Sequence, residues 1–286
     1  MARPTTPRGI LRPTAPACLL LVSLAIVVPV RAAVPAARSV WAPTPVAVDG
    51  RADDWAGDAF LHNQKSGADF AFRNDGRDLF ILIIVKDAEV AKALRTTGIK
   101  IFGRPSKSGA AGSGVLFAVR EVSAEAYIGW QVSQGAVLTE ADKASLRKAG
   151  RRELRLAFAM GATGSIYGPI GQTAHDSAPD FAAAGTGEGT VYEFRIPLAS
   201  PRDVLGAIGG RPGETLRLSF EWGGSQNREL STPSSRERQS SNSGYLSGTG
   251  RTWSQEFLDT FDAMARPSSG MKTYSLSVDV RLAEPR

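Results

Sequence analysis

The sequence predicts an all-β fold: a single β-sandwich of the jelly-roll type, with a few short helices and one long Ser- and Gly-rich insertion. Short segments rich in β-branched and aromatic residues recur along most of the chain and are separated by turn residues. A strand pattern also returns after the insertion, near the end of the chain. The 42% of apolar residues is enough to fill one large core.

The first 33 residues are predicted to be a signal peptide. Three arginines precede a run of 13 apolar residues from Cys18 to Val30. Such a run suits a secretory signal and is too short to span a bilayer. We therefore expect cleavage near Ala32, export to the periplasm or the medium of a bacterium, and no transmembrane segment after cleavage.

Removal of this segment changes the charge and the cysteine content. The segment carries four arginines and no acid, so the formal net charge of +6 falls to about +2 in the mature chain. The basic balance is then no argument for a nucleic-acid partner, and none is expected. The single cysteine, Cys18, leaves with the segment, so the mature chain has no disulfide and no thiolate ligand for a metal.

The rest of the chain is predicted to form one domain. Residues 34–45 contain three prolines and read as a lead-in linker. The sandwich is expected over 46–284, interrupted by a flexible loop over 223–252 in which Ser, Gly, Asn and Arg dominate. That composition cannot bury much apolar area, and the strand pattern that follows favours an insertion over a second domain.

The clearest strand signal is a hairpin over 68–87. Phe70 and Phe72 alternate with polar residues, a turn follows at 74–76, and residues 79–85 are apolar throughout. This pattern predicts a second strand that is buried on both faces. Further strands are predicted over 46–48, 98–103, 114–122, 126–132, 154–160, 191–198, 215–222 and 273–282, and helices over 88–96, 139–150 and 253–265.

The stretch VAVDGRADDW, residues 46–55, combines a short strand, a turn and an aromatic residue. Its Asp-Gly pair suits the turn after the strand, and Asp53 and Asp54 suit the cap of a helical turn. Trp55 is predicted to pack on the sandwich. We therefore interpret the stretch as the entry to the domain and not as an acidic ligand site.

Two blocks of residues have a recognisable order and spacing. The first block contains Val48-Asp49-Gly50, Trp55, Asn74-Asp75-Gly76, Asp78-Leu79-Phe80 and Val85-Lys86-Asp87. The second is Tyr192-Glu193-Phe194-Arg195-Ile196-Pro197-Leu198, which is similar to an E-x-x-I-P strand. Together the blocks resemble family 9 carbohydrate-binding modules and their DOMON-like relatives, over roughly residues 44–222.

That resemblance implies a jelly-roll sandwich exported by a bacterium, with a sugar held between aromatic side chains and structural calcium in several members. It also implies a link to polysaccharide catabolism, because relatives are attached to glycan-degrading enzymes. Unlike those relatives, this chain is expected to have no attached catalytic domain. The helix and the Gly-Ile strand after Asp87 indicate a branch without an established ligand.

Catalytic motifs are not found in the sequence. Neither of the two histidines, His62 and His175, has the spacing of a metal-binding motif, and there is no nucleophile elbow, P-loop or dinucleotide fingerprint. Glu193 and Glu221 could form the carboxylate pair that a glycosidase needs, but acids on alternating strands are more commonly exposed residues. The chain is therefore predicted not to be an enzyme.

The turn with Asn74, Asp75 and Asp78 is the candidate metal site. Hard oxygen ligands from a loop suit calcium. The same Asn-Asp-Gly sequence is also typical of a tight turn, which is its commoner use. No cofactor is predicted, and calcium is the metal that these residues suit.

Aromatic residues carry the sugar-binding hypothesis, because the apolar C–H faces of a sugar stack on flat rings. Trp222 ends a predicted strand and is followed by amide and guanidinium groups at Asn227 and Arg228. Trp130 and Tyr127 are further candidates. A tryptophan at a strand end is also a common packing residue, so a core role stays open for both tryptophans.

Two other functions stay open beside sugar binding. Some relatives of this fold bind haem b, for which the candidate ligands are His62, His175, Met160 and Met264. The chain could also be a periplasmic protein-interaction module that docks a partner on the 223–252 loop. The favoured function is an exported, monomeric, non-catalytic module that binds a carbohydrate.

Overall fold

Two β-sheets face each other and enclose the main core. The computed structural model describes residues 34–106, 112–164, 166–170, 178–224 and 270–285. In these residues the first sheet contains, from edge to edge, β1 (Ala36–Arg38), β13 (Thr273–Arg281), β12 (Thr215–Gly223), β6 (Ile99–Pro105), β7 (Ser113–Val122), β8 (Arg152–Met160) and β9 (Ile166–Pro169). The second contains β10 (Asp180–Thr186), β11 (Gly189–Pro197), β5 (Asp78–Val85), β4 (Ala68–Asn74) and β2 (Val40–Trp41), with β3 (Leu61–Asn63) also paired to β4. The predicted all-β sandwich is confirmed.

Aromatic pairs join the two sheets across the core. The rings of Phe70 on β4 and Phe220 on β12 have centroids 5.1 Å apart, and so do those of Phe117 on β7 and Phe194 on β11. Such tilted pairs add to the free energy gained by burying the rings. The sheets are therefore held together by side chains that alternate inward along strands of both sheets.

Strand β5 confirms the prediction of a strand buried on both faces. Ile81 and Ile83 point into the space between the sheets, where they belong to the main core. Phe80 and Leu82 point to the other side and pack in a separate cluster with Trp55. The continuous apolar run in the sequence arises because both sides of this central strand are covered.

Three α-helices occur among the described residues: α1 (Ala88–Thr97), α2 (Ala124–Ser133) and α3 (Glu140–Ala149). The predicted helices over 88–96 and 139–150 are confirmed. In α1 the Asp87 side chain accepts hydrogen bonds from the backbone N–H groups of Glu89 and Val90, and α3 begins with a capping box between Thr139 and Asp142.

Helix α2 corrects the predicted strand over 126–132. The Ser123 side chain accepts a hydrogen bond from the backbone N–H of Ala126 and so caps a helix that the alternation of residues did not indicate. Ala126 and Trp130, four positions apart, pack on the outer face of β7 and β8. The capping residue and the burial of one helical face decide the structure, because the same apolar residues fit both periods.

The second sheet is covered on its outer face by residues 46–56. The predicted strand over 46–48 is wrong: these residues form an irregular segment, with Val46 and Val48 packed against the cluster around Trp55. Asp53 and Asp54 lie inside a short 3-10 helix, Asp53–Trp55, and make no side-chain capping bond. The helical turn and the burial of Trp55 agree with the sequence interpretation.

A buried carboxylate fixes this covering segment to the sheet. Glu193 on β11 accepts hydrogen bonds from the backbone N–H groups of Asp49 at 2.9 Å, Gly50 at 2.7 Å and Arg51 at 3.3 Å. It also accepts one from the Trp55 indole N–H at 2.6 Å. Burial raises the pKa of Glu193, and these N–H donors oppose that rise. We call this arrangement the Glu193 lock.

Gly50 is required where the segment approaches the sheet most closely. Its φ is +82°, and a Cβ atom there would lie 2.8 Å from the backbone carbon of Ala183. A larger residue would be strained both by this dihedral angle and by the contact. The Asp-Gly pair therefore forms a turn and also allows the backbone to come close to Glu193.

Asn74 joins the two ends of the described chain. Its side-chain oxygen accepts hydrogen bonds from the Ser39 hydroxyl and from the backbone N–H of Ala283, and its amide donates to the Ala283 carbonyl oxygen at 3.1 Å. The residues expected to form a linker, 34–45, contain strands β1 and β2, of which β1 pairs in parallel with β13. The predicted strand over 273–282 is confirmed as β13.

Some predictions fall outside the described residues. These are the helix over 253–265, most of the loop over 223–252 and the signal peptide over 1–33. In the part that the structure describes, no helix is long and apolar enough to span a bilayer.

We expect Glu193→Gln to lower the free energy of unfolding by about 2–3 kcal/mol, because an amide NH₂ group replaces an oxygen that accepts from buried N–H donors. Urea titration followed by tryptophan fluorescence measures the change. Glu188→Gln, at an exposed turn, is the matched control and should be neutral. Equal stability of the two variants would contradict the role of the Glu193 lock.

Asp78 should make the protein less stable as the pH rises. Burial raises its pKa to about 6, and among the described residues its Oδ1 has no hydrogen-bond partner. Since the unfolded carboxyl titrates near 4, the folded state binds more protons between about pH 4 and pH 6. Stability is therefore lost across this window and stays low above it.

Asp78→Asn removes this titration and should raise the free energy of unfolding at pH 8 by about 1–2 kcal/mol, after allowance for solvent screening. Urea titrations at pH 4, 6 and 8 measure the difference between variant and parent. The exposed Asp203→Asn is the control. Parallel curves for parent and Asp78→Asn would show that Asp78 ionises normally.

Candidate functional site

An open cleft of about 480 Å³ lies where the two sheets separate beside α1. We call it the α1 cleft. Its walls come from α1, from β7 and β8 of the first sheet, and from β10 and β11 of the second. Its volume is within the range of about 300–1,000 Å³ that is typical of small-molecule sites.

Small side chains keep the α1 cleft open. Ala88 and Ala91 on α1 line it, and so do Ala183 and Gly185 on β10. Larger residues at these positions would fill the end of the sandwich, as they do elsewhere in the main core. The deeper wall is apolar and partly aromatic, and it is formed by Leu94, Ile99, Phe117, Val119, Phe181, Tyr192 and Phe194.

The aromatic wall is rigid because its rings pack on one another. Phe181 and Phe194 are stacked, with centroids 6.0 Å apart, and Tyr192 is stacked on Phe194 at 6.5 Å. The Tyr192 hydroxyl donates to the Ala91 carbonyl oxygen at 3.4 Å, which connects this wall to α1. Burial raises the pKa of Tyr192 to about 12, and the protonated hydroxyl keeps its bond to Ala91 over the whole neutral range.

Charged residues form the rim of the cleft. Lys92 and Arg95 lie on α1, and Glu153 and Arg155 lie on β8. Arg95 and Glu153 form an ion pair of 3.2 Å across the opening, with both side chains more than half exposed. An exposed pair of this kind contributes little to stability, so it can open at little cost.

The two rim residues on β8 lie on the inner face of the first sheet. Arg155 pairs with Val119 in the β7–β8 ladder and shares its face, which is the face that packs toward the second sheet. Leu154, Leu156 and Phe158 point the other way and pack beneath α2 with Trp130. The apolar residues of β8 therefore cover the outside, and its charged and small residues line the inside.

This feature could have been found in the sequence. The strand over 152–160 alternates between large apolar residues and a second set, Glu153, Arg155, Ala157 and Ala159. The prediction of a strand over 154–160 does not by itself say which of the two sets faces the interior. Knowledge that α2 is a helix that covers the sheet was required before the second set could be assigned to the interior.

The two tryptophans predicted to bind sugar are not brought together. Trp222 is 2% exposed and stacks on Tyr274 in the main core, with ring centroids 5.6 Å apart. Trp130 is 4% exposed beneath α2, where the half-buried Tyr127 packs beside it. Asn227 and Arg228 lie outside the described residues. In this structure the two tryptophans pack in separate clusters, and neither lines the α1 cleft.

The candidate calcium residues already bind protein groups. The Asn74 side-chain oxygen accepts from Ser39 and Ala283, and Asp75 Oδ1 accepts from the backbone N–H groups of Arg77 and Asp78, each at 2.7 Å. These contacts belong to the turn and to the junction of the chain ends. The residues therefore do not fit calcium as a convergent set of free oxygen ligands, and no group of three or more acids or histidines among the described residues offers another set.

The haem candidates are also separate in the part that the structure describes. His62 on β3 is exposed and lies 2.7 Å from the Asp69 carboxylate through Nδ1. Met160 on β8 is buried in the cluster under α2. These two residues belong to different sheets, and His175 and Met264 lie outside the described residues. The haem alternative is not favoured.

Glu193 and Glu221 do not form a carboxylate pair, because they lie on different sheets.

We expect Trp222→Ala to lower the free energy of unfolding by about 3–5 kcal/mol, as is usual for a buried aromatic residue. Phe60→Ala is the control, because Phe60 is 45% exposed, and its effect should be below about 1 kcal/mol. Urea titration measures both changes. Loss of ligand binding by Trp222→Ala at unchanged stability would instead identify Trp222 as a ligand platform.

No protein-family model and no curated protein matches the chain. A family 9 carbohydrate-binding module from Caldicellulosiruptor kristjanssonii in complex with cellotriose has a TM-score of 0.35 and 10% identity, covering 87% of this chain and 94% of that one. Another structure of such a module from the same organism, in complex with glucose, has a TM-score of 0.30 and 12% identity, covering 65% of this chain and 76% of that one. These values describe a distant likeness, and the fold class of this chain rests on its own two sheets.

Proposed function

We propose that this chain is a non-catalytic carbohydrate-binding module and that the α1 cleft holds its ligand. The observation that carries the proposal is the form of the cleft: a rigid apolar wall, an open mouth and a polar rim. Sites for small molecules combine a mainly apolar lining with a few polar groups that orient the ligand. The cleft has both parts.

A sugar ring matches these two parts chemically. Its axial C–H groups form an apolar face, which suits the wall that includes Phe181 and Val119. Its hydroxyl groups point outward around the ring and need hydrogen-bond partners. Thr190, Glu153 and Arg155 offer such partners along the rim. A neutral or charged saccharide could therefore be held without a deep, closed pocket.

The two sequence blocks that resemble family 9 modules support the fold part of this proposal. Asp49, Gly50 and Trp55 from the first block bind Glu193 from the second through hydrogen bonds. The blocks are far apart in sequence and meet at one place in the fold. Their residues build the domain, so the sugar class is proposed from the resemblance and the cleft together.

Export is part of the same proposal. The segment over 1–33 has the pattern of a secretory signal. A module carried out of the cytoplasm is exposed to polysaccharides of the cell surface or the medium, where a binding module has its substrate. We propose that it acts there as a monomer.

We expect isothermal titration of the mature chain against a panel of neutral and acidic oligosaccharides to detect binding of at least one class. Ala183→Leu, which fills the α1 cleft, should weaken that binding by tenfold or more. Ala144→Leu, on the exposed surface of α3, is the matched control and should bind as the parent does. Thermal melts of both variants establish that the fold is retained.

Two results would contradict the proposal. Absence of binding across the whole panel would exclude the carbohydrate function. Unchanged binding by a folded Ala183→Leu variant would place the ligand site outside the α1 cleft.

A further inference from the structure

Charged residues at inward-facing positions of a sandwich need an explanation. Glu153 and Arg155 occupy the face of β8 that is turned toward the second sheet, where Ala157 and Ala159 continue into the core. A charge at such a position is unfavourable unless it is solvated or paired. Here the small residues of β10 and α1 keep the space open, so both charged side chains are exposed.

The charges around the α1 cleft are unequal. Three cationic side chains, Lys92, Arg95 and Arg155, line it with one carboxylate, Glu153. Arg95 is paired with Glu153 at 3.2 Å. Among the described residues, no carboxylate lies within ion-pair distance of Lys92 or Arg155. Among the residues that the structure describes, the cleft therefore has an excess of positive charge.

Arg155 lies at the wall, where one of its donors contacts a backbone carbonyl oxygen of the described residues. Its Nη1 donates to the Phe181 carbonyl oxygen at 3.5 Å, and this is a long bond that directs the guanidinium along β10. A guanidinium has five N–H donors in a planar fork and matches a carboxylate through two parallel hydrogen bonds. The guanidinium group therefore lies beside the aromatic wall, next to Phe181.

We infer that the α1 cleft selects acidic saccharides, with the uronate carboxylate bound by Arg155 and the sugar ring placed on the apolar wall. Lys92, on the opposite side of the mouth, adds to the positive potential that attracts the ligand. This inference rests on the proposed carbohydrate function and specifies its substrate class. Neutral saccharides have the same apolar face but lack the carboxylate that Arg155 would bind.

The test compares acidic trisaccharides with neutral ones of the same linkage. Isothermal titration uses trimers of galacturonate, glucuronate and mannuronate, each against the corresponding neutral hexose trimer, in 20 mM NaCl. At least one acidic trimer should bind tenfold or more tightly than its neutral counterpart. Raising NaCl to 500 mM should reduce this preference, because salt screens an exposed charge interaction.

Two variants assign the preference to the rim. Arg155→Gln should reduce the affinity for the acidic trimer by roughly tenfold or more, since charge-assisted hydrogen bonds are lost, and should leave the neutral trimer unchanged. Lys92→Gln, on the surface of α1, should reduce it less and provides a second test should Arg155→Gln not fold. Arg202→Gln, on an exposed loop away from the cleft, is the control.

The outcomes separate the inference from the proposed function. Equal binding of acidic and neutral trimers overturns the acidic preference and leaves the carbohydrate function in place. An acidic preference that Arg155→Gln and Lys92→Gln both retain overturns the role of the α1 cleft rim. Absence of binding by every saccharide overturns the proposed function, and the inference with it.

Discussion

The Glu193 lock is the interaction that holds the covering segment, residues 46–56, on the outer face of the second sheet. One carboxylate on a central region of the second sheet receives three backbone N–H groups and an indole N–H from a segment more than 130 residues earlier. Without it, residues 46–56 have no regular backbone pairing to hold them on the sheet. Phe80 and Leu82 would then lose the cover that Trp55 provides. A single buried acid thereby allows a central strand to be apolar on both faces.

Each sheet is covered on the outside by a different device. A loop with Trp55 covers the second sheet, and helix α2 with Trp130 covers the first. The first sheet can therefore place its large apolar residues outward on β8 and its charged and small residues inward. The α1 cleft results from this placement of the β8 residues, because the end of the sandwich is lined by residues too small or too polar to fill it.

The strands that carry their own signal were predictable from the sequence. The run over 79–85 and the alternation over 273–282 are fixed by local burial, and both are observed as strands. The segment over 126–132 was not, because Ala126, Ile128 and Trp130 alternate as in a strand, and the helix is indicated only by its capping residue Ser123. The α1 cleft could not be predicted without recognising this helix, because the helix determines which face of β8 points inward. Trp222 shows a second limit of prediction from sequence. Its place at a strand end is visible in the sequence, but Tyr274, whose ring covers it, lies about fifty residues away.

The junction at Asn74 has a mechanical consequence. Strands β1 and β13 run parallel, and Asn74 binds residues next to both of them. A force that pulls residue 34 and residue 285 in opposite directions would load the β1–β13 pairs and the Asn74 bonds in shear, at the same time. Parallel loading shares the force among several bonds, whereas peeling breaks them one after another. The junction is therefore expected to resist a force applied between residues 34 and 285.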